Sequence, residues 1–228
     1  EWAQLAECDV SWCVRRLPHA VKKACMELPI TLAGGFIRSC IAREPIADID
    51  LFVTSKDSAK MLAALLTIQG DPPPHETDNA YTVRSKLEFP VQVIHRWTFD
   101  RPEYVVPSFD FTIARAAIWF DQADKKWHSA ADPGFYRDLA AKRLVYCSPI
   151  RNEDAGGSML RVLKFYQRGY RIPLDSLAAV TARMVNAIDF GQSPDDPHAS
   201  REEWIAKILT GLLHEVDPNI WVPVAYED

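Results

Sequence analysis

The sequence predicts an α/β (α+β) fold, with a mixed β-sheet head and flanking helices followed by a small helical C-terminal part. Three observations support this prediction. A strand, helix, strand, helix succession occupies residues 30–69, strand-like segments follow between residues 80 and 119, and helical periodicity returns beyond residue 133. We therefore expect two domains, a head over residues 1–132 and a helical, neck-like region over residues 133–228.

The first half of the head contains turn signals and a helix cap. Gly34-Gly35 ends a short apolar strand, Pro45 ends the helix that follows, and Ser55 supplies an N-cap for the next helix. The elements predicted here are, in chain order, helical sequence over residues 2–27 broken near Pro18, a strand over 30–33, a helix over 36–43, a strand over 49–53 and a helix over 57–69.

The remaining elements follow from runs of β-branched and aromatic residues, and then from apolar residues at helical spacing. The predicted strands span residues 81–84, 91–95 and 109–119, with a short turn or helix near 102–106, and the predicted helices span 135–142, 153–169, 174–188 and 201–216.

The composition is that of an ordinary globular protein and not of a fibrous, disordered or membrane protein. Of the 228 residues, 48% are apolar and 25% charged, and no apolar run approaches the roughly 18 residues of a membrane span. The five cysteines form no Cys-x-x-Cys pair, which favours reduced thiols and a cytoplasmic location. With a net charge of −5, the chain carries no general basic coat for nucleic acid.

One segment is locally basic. Residues 137–171 contain eight basic and three acidic residues, which gives a local net charge of +5. Either a solvated helix face or a polyanion-binding surface has this pattern, and both interpretations stay open. The basic residues are Arg137, Lys142, Arg143, Arg151, Arg161, Lys164, Arg168 and Arg171.

The stretch from the glycine pair to the next predicted strand carries the strongest chemical signal. Gly34-Gly35 lies between a strand and a helix, where glycines allow close backbone approach and the free N–H groups of the helix start favour phosphate. Arg38, on the first turns of that helix, is placed to reach a phosphate, although a surface arginine has the same spacing. The sequence therefore predicts a triphosphate-binding turn.

Three aspartates are candidate metal ligands. Asp48 and Asp50 are two residues apart on a predicted strand, so both project from one face, and Asp110 begins another apolar segment. Hard carboxylate oxygens suit Mg²⁺ or Mn²⁺, and phosphoryl-transfer sites commonly hold two such ions roughly 3.5–4 Å apart. Turn caps and local hydrogen bonds explain each aspartate singly, but they explain all three together less well.

The motif from Gly34 to Arg38, followed by Asp48-Ile49-Asp50, resembles the GG-x-VR and D-x-D pattern of the DNA polymerase β-like nucleotidyltransferase superfamily. The resemblance is to the head domain of the branch containing CCA-adding tRNA nucleotidyltransferases and bacterial poly(A) polymerases. It extends over roughly residues 28–170. The stretch SFDFTIARAA is similar to RRDFTINALA of that branch, ADPGFYRDLAAKRLVY to D-P-x-G-x-x-D-L-x-x-x-x-L-R, and NEDAGGSMLRVLKFYQRGY to E-D-P-x-R-x-L-R-x-x-R-F.

The resemblance implies a role for each matching residue. It implies that Gly34, Gly35 and Arg38 bind the nucleotide and that Asp48 and Asp50 hold two metal ions. It also implies that Asp110 is a third acid or a ribose contact, and that ATP or CTP is the donor. Two weaker nucleotide-binding candidates are Arg143 and Arg161. The sequence departs from the pattern at Phe109, which replaces an arginine, and at Ala114, which replaces an asparagine.

Three functional hypotheses remain open. The first is a template-independent, two-metal nucleotidyltransferase that transfers a nucleoside monophosphate to an RNA 3′ end and releases pyrophosphate, with the basic segment holding the RNA. The second is a nucleotidyltransferase that modifies a protein or a small molecule. The third is a non-catalytic binding module on the same fold. The sequence does not predict an oligomeric state.

Overall fold

The computed structural model describes residues 1–84, 88–149, 155–191 and 200–214. The chain divides into two compact units, Glu1–Ala141 and Lys142–Asp228. The first unit is a mixed α/β structure with a seven-stranded sheet and flanking helices, which confirms the predicted fold class. None of the described helices combines the length and apolar character needed to cross a membrane.

The helices of the first unit follow the local signals in the sequence. Pro18 separates the first two helices, and Ser55 Oγ accepts a hydrogen bond from the backbone N–H of Ser58 at 3.1 Å, which confirms it as an N-cap. The five helices are α1 (Glu7–Arg16), α2 (His19–Glu27), α3 (Gly35–Ala42), α4 (Lys56–Leu66) and α5 (Phe135–Ala140).

The sheet has the order β3-β4-β5-β2-β1-β6-β7, with β2 at its centre. Every neighbouring pair is antiparallel except β2 and β5, which are parallel. The seven strands are β1 (Thr31–Ala33), β2 (Ile49–Phe52), β3 (His75–Glu76), β4 (Ala80–Val83), β5 (Val91–Ile94), β6 (Ala116–Asp121) and β7 (Lys126–Ala131).

Alternation along the central strand places Asp50 on the face opposite to Ile49 and Leu51. Ile49 and Leu51 are fully buried, whereas Asp50 between them is half-buried and faces the other side. On the Asp50 side, Val105 and Val106 of a 3₁₀ helix (Pro102–Ser108) pack in an apolar cluster with Ala33, Phe52, Ala80, Ile94, Ala117 and Ala130. The 3₁₀ helix confirms the predicted turn or helix near residues 102–106.

The prediction of a strand over residues 109–119 is wrong in its first half. Residues Thr112–Ala114 form a second 3₁₀ helix, and β6 begins only at Ala116. Phe109 and Asp110 lie in the turn between the two 3₁₀ helices. Strands β3 and β7, at the two edges of the sheet, were not predicted.

The second unit contains three described helices: α6 (Ala155–Gln167), α7 (Leu174–Asn186) and α8 (Arg201–His214). Helix α6 packs against both of the others. A Cβ on Gly156 would lie 2.2 Å from the carbonyl oxygen of Leu212, so the glycine lets α8 approach α6 backbone to backbone. The start of the helix predicted over residues 153–169 and the end of the helix predicted over residues 201–216 lie outside the described residues, as does Arg151 of the basic segment.

Candidate functional site

The glycine turn after β1 adopts a conformation that only glycine takes readily. Gly34 has φ +79° and ψ −140°. A Cβ at this position would lie 3.2 Å from Oδ2 of Asp50 and 3.2 Å from the ring of Phe109. The backbone of the turn therefore runs directly against the Asp50 carboxylate, and Gly35 begins α3 beside it, with the free N–H groups of the first helical turn.

The two aspartates of the D-x-D motif share one face of the sheet. Asp48 immediately precedes β2, Asp50 is the second residue of β2, and both side chains are half-buried. Gln92 of β5 pairs with Asp50 in the parallel register and therefore faces the same side. Its Nε2 donates a hydrogen bond to Oδ2 of Asp48 at 3.0 Å. Sequence reasoning missed Gln92, although it is the single polar residue in the buried strand VQVI.

Asp110 does not stand on a strand, contrary to the sequence expectation. It lies in the turn between the two 3₁₀ helices and is 4% exposed. Arg115 holds this turn from behind: its Nε donates to the carbonyl of Phe109 at 2.8 Å and its Nη2 to that of Pro107 at 3.4 Å. Asp132 pairs with Arg115, with 3.6 Å between Oδ2 and Nη1.

The stretch after β7 supports the same segment. Thr112 donates through Oγ1 to Oδ2 of Asp138 at 2.8 Å, and Asp138 is fully buried at the centre of α5. Arg137 also donates to Asp138, and this hydrogen bond raises the pKa of the Arg137 guanidinium. Asp132 Oδ1 accepts from the backbone N–H of Gly134 at 2.8 Å. These residues hold the 3₁₀ helix next to Asp110 in place.

Arg38 is turned inward and is not the surface arginine that its spacing also allowed. Its side chain is 7% exposed, and a Cβ on Gly35 would lie 3.5 Å and 3.7 Å from its two terminal nitrogens. Nη2 donates to Oγ of Ser39 at 3.2 Å, and Nε lies 3.6 Å from Oε2 of Glu44. Glu44 was not singled out by the sequence, because it lies beyond the end of α3.

The spacing of possible metal ligands distinguishes two places in the first unit. Within the described residues, the trio of His, Cys, Asp or Glu side chains whose ligand atoms all lie within 4.8 Å of one another is Asp121, Asp124 and His128, at the β6–β7 turn. The backbone N–H of Gly34 donates to the carbonyl of Ala116, at the other end of β6 from Asp121. Five residues of strand separate Ala116 from Asp121, so this trio lies about 17 Å along β6 from the glycine turn. The predicted trio Asp48, Asp50 and Asp110 does not meet that spacing.

The Asp48–Asp50 face nevertheless fits a hard divalent cation with a polyphosphate. Two half-buried carboxylates project from one strand face, and the backbone of Gly34 lies close against Oδ2 of Asp50, at a position where a Cβ would be only 3.2 Å from that oxygen. Carboxylate oxygens in this arrangement repel each other unless a cation joins them.

Arg143 and Arg161, the remaining predicted nucleotide contacts, belong to the second unit. Both side chains are half-buried, and Arg161 lies on α6. Arg143 forms an isolated β-bridge with Arg171, in which the N–H of Leu144 donates to the carbonyl of Arg171 at 2.8 Å. The residues brought together in the first unit are Gly34, Gly35, Arg38, Asp48 and Asp50, with Phe109, which precedes Asp110, against Gly34.

Solved structures with a similar fold include CCA-adding enzymes. The Thermotoga maritima CCA-adding enzyme complexed with tRNA is 19% identical, with a TM-score of 0.56, and the similarity covers 77% of this chain and 45% of that one. A CCA-adding enzyme with ATP is 18% identical, with a TM-score of 0.57 and the same two coverages. The chain thus spans less than half the length of these enzymes, and the likeness is one of fold, the nucleotidyltransferase fold.

At the level of sequence, no curated protein matches the chain. Residues 7–142 match the profile of a family described as Gabija anti-defense 2 family protein, Gad2. The match contains the glycine turn, the D-x-D motif and the Asp110 segment, and it extends over more than half of the chain. The chain therefore belongs to the Gad2 family.

Proposed function

We propose that this chain is a metal-dependent nucleotidyltransferase, which transfers a nucleoside monophosphate from a nucleoside triphosphate to an acceptor hydroxyl. The observation that carries the proposal is the contact between the Gly34 backbone and the Asp50 carboxylate, with Asp48 on the same strand face. A polyphosphate on the turn would thereby lie against the residues that hold its cation.

Each residue has a defined part in this reaction. The backbone N–H groups at the start of α3 bind the phosphates of the leaving pyrophosphate, and Arg38 balances their charge. Asp48 and Asp50 hold two Mg²⁺ or Mn²⁺ ions, and Asp110 completes a metal shell, contacts the ribose or takes the proton of the acceptor. When bound, the ions lower the pKa of the acceptor hydroxyl and stabilise charge on the phosphates.

The bond changes are those of an in-line substitution at phosphorus. The acceptor oxygen forms a bond to the α-phosphorus, and the bond from that phosphorus to the bridging β-phosphate oxygen breaks. The electron pair of the broken bond leaves with pyrophosphate. ATP or CTP is the proposed donor, and Arg143 and Arg161 remain proposed nucleotide contacts.

The first proposed acceptor is an RNA 3′ end. The second unit supports it with cations beside an exposed aromatic ring: Arg171 lies 4.9 Å from the ring centre of Tyr166, which is 57% exposed. Arg168 lies two residues after Tyr166 in the sequence. Tyr170, beside Lys142, is fully buried and offers no face to a base. Cations that follow a backbone, next to rings on which bases stack, are typical of single-strand binding. The Thermotoga maritima CCA-adding enzyme, which has a similar fold, was solved in complex with tRNA.

The second proposed acceptor is a protein or small molecule of a defence system. The family description, Gabija anti-defense, favours this candidate, because transfer of a nucleotide onto a component of that defence would alter its charge and chemistry. A non-catalytic module that binds such a component is the remaining possibility.

Incorporation of label from α-³²P-labelled nucleoside triphosphates tests the proposal and separates the acceptors. Each triphosphate is incubated with Mg²⁺ or Mn²⁺, total RNA and a cell extract, beside Asp48→Asn and Asp50→Asn protein. Asp57→Asn, an exposed aspartate on α4, is the matched control. Label on RNA that is lost in the Asp48→Asn and Asp50→Asn proteins but kept in Asp57→Asn supports the first acceptor. Label on protein or a metabolite supports the second. No label and no triphosphate binding would contradict nucleotidyl transfer.

RNA binding is measured separately, because it does not require transfer. Arg168→Glu/Arg171→Glu should weaken binding of a labelled single-stranded RNA at least tenfold at low salt and reduce the salt dependence of binding. Lys60→Glu/Lys22→Glu, on the first unit, makes the same change in net charge and is the control. Equal RNA affinity of the two double variants would remove the support for an RNA acceptor.

A further inference from the structure

Gln92 faces the carboxylates of the D-x-D motif from the neighbouring strand. It lies on β5, which runs parallel to β2, and its register partner on β2 is Asp50. Its amide reaches diagonally to the next carboxylate on the same face, with 3.0 Å from Nε2 to Oδ2 of Asp48. Val91 and Val93 on either side are fully buried and face the opposite way.

A hydrogen bond of this kind fixes the rotation of a carboxylate. Asp48 lies directly before β2 and is half-buried, so burial alone does not fix its side-chain torsions. An N–H donated to Oδ2 leaves Oδ1 and the remaining lone pair of Oδ2 in a fixed direction. Because the donor is a neutral amide, it does not compete with a bound cation as a lysine or arginine would.

We propose that Gln92 is a positioning residue, which holds the Asp48 carboxylate in the orientation that binds the divalent cation. This inference rests on the proposed function, since it takes the Asp48–Asp50 face as the metal site. Outer-shell partners of metal ligands typically change metal affinity by about 10- to 100-fold when they are removed. Gln92 touches Asp48 and acts through it.

Mn²⁺ binding, followed by electron paramagnetic resonance with a non-hydrolysable ATP or CTP analogue, tests this inference without requiring catalysis. Gln92→Met keeps the length of the side chain but removes the donor, and it should weaken Mn²⁺ binding at least tenfold. Thr82→Val, a half-buried polar residue in register on β4, is the matched control and should leave the affinity within twofold. In an Asp48→Asn background, Gln92→Met should have no further effect.

A merely structural role predicts a different result. In that case Gln92→Met lowers the melting temperature and leaves Mn²⁺ affinity unchanged, which overturns the inference while the proposed function stands. If Gln92→Met does not fold, Gln92→Asn serves instead, because its amide is one methylene too short to reach Asp48. Wild-type protein that binds no Mn²⁺ with the analogue overturns both proposals, and tight Mn²⁺ binding without nucleotidyl transfer overturns only the proposed reaction.

Discussion

Arg38 and Glu44 form an ion pair that is almost entirely withdrawn from solvent: Nε lies 3.6 Å from Oε2, and the two side chains are 7% and 11% exposed. Removing one member of such a pair leaves a buried charge without its counter-charge, whereas replacing both by apolar groups is often neutral. The pair therefore allows the structural and ligand-binding roles of Arg38 to be separated.

We expect Glu44→Leu alone to lower the free energy of unfolding by about 3–5 kcal/mol, and Arg38→Met/Glu44→Leu to recover most of that loss. The double variant should nevertheless bind triphosphate at least tenfold more weakly, because the phosphate-binding cation is gone. Urea denaturation and calorimetric titration with a non-hydrolysable triphosphate measure the two effects. Wild-type triphosphate affinity in the double variant would show that Arg38 serves the fold alone.

Gly34→Ala should disturb both the fold and the carboxylates. Alanine is strained at φ +79°, at a cost of about 1–3 kcal/mol, and its Cβ would press on Asp50 Oδ2 and the ring of Phe109. Gly70→Ala is a matched control, because Gly70 has φ +92° but a Cβ added there would meet no atom within 4 Å. We expect Gly34→Ala to abolish nucleotidyl transfer and Gly70→Ala to retain it. Equal losses of nucleotidyl transfer in the two variants would mean that backbone strain, and not the contact with Asp50 and Phe109, causes the loss of activity.

Thr112→Val should destabilise the segment that carries Asp110. Valine has the shape of threonine but removes the donor to Asp138, whose fully buried carboxylate then loses one hydrogen bond at a cost of about 1–3 kcal/mol. Thr181→Val is the control, since Thr181 is exposed on α7 and donates only to its own helix. Urea unfolding measures both. A change below about 0.5 kcal/mol for Thr112→Val would show that Asp138 does not depend on the Thr112 hydroxyl.

The cysteines should differ in reactivity towards iodoacetamide at pH 8. Burial raises the pKa of Cys25 to about 12, and the hydrogen bond from the Cys13 thiol lowers the pKa of Cys40 and raises that of Cys13. Cys8 is exposed. Mass spectrometry of the native protein should find Cys8 alkylated first and Cys25 alkylated only after denaturation. Alkylation of Cys25 at the rate of Cys8 would contradict this order.

The same shift gives a pH dependence of stability. In the unfolded chain the Cys25 thiol ionises near pH 9, whereas in the fold it stays protonated until about pH 12. Its contribution to folding is therefore complete below pH 9 and is lost as the pH rises from there towards 12. Cys25→Ser should flatten the fall in melting temperature over this alkaline range.

Local signals predicted most of the first unit. Pro18 and Ser55 set helix boundaries through backbone geometry that a single residue controls, and the alternation at Asp48, Ile49 and Asp50 set the direction of the side chains on β2. The glycine turn was recognisable because a strand, two glycines and a helix start follow one another directly.

The features that were missed depend on contacts between distant parts of the chain. The segment before β6 has the β-branched and aromatic residues of a strand, but Arg115 binds the carbonyls of Phe109 and Pro107 and bends it into a turn. Gln92 lies 44 residues from Asp48 in sequence, and only the parallel pairing of their strands brings them together. The edge strand β3 contains no apolar residue, and β7 lacks the regular alternation of apolar and polar residues that indicates a strand.

The position of β2 at the middle of the seven strands also has a thermodynamic consequence. A central strand is hydrogen-bonded on both sides, so its amide protons exchange mainly when the whole unit unfolds. A ligand that binds residues of this strand therefore stabilises the entire unit against global unfolding and not only one edge of the sheet. Ligand binding should therefore raise the melting temperature of the entire first unit in proportion to the logarithm of ligand concentration, and thermal shift becomes a direct screen for nucleotides and cations.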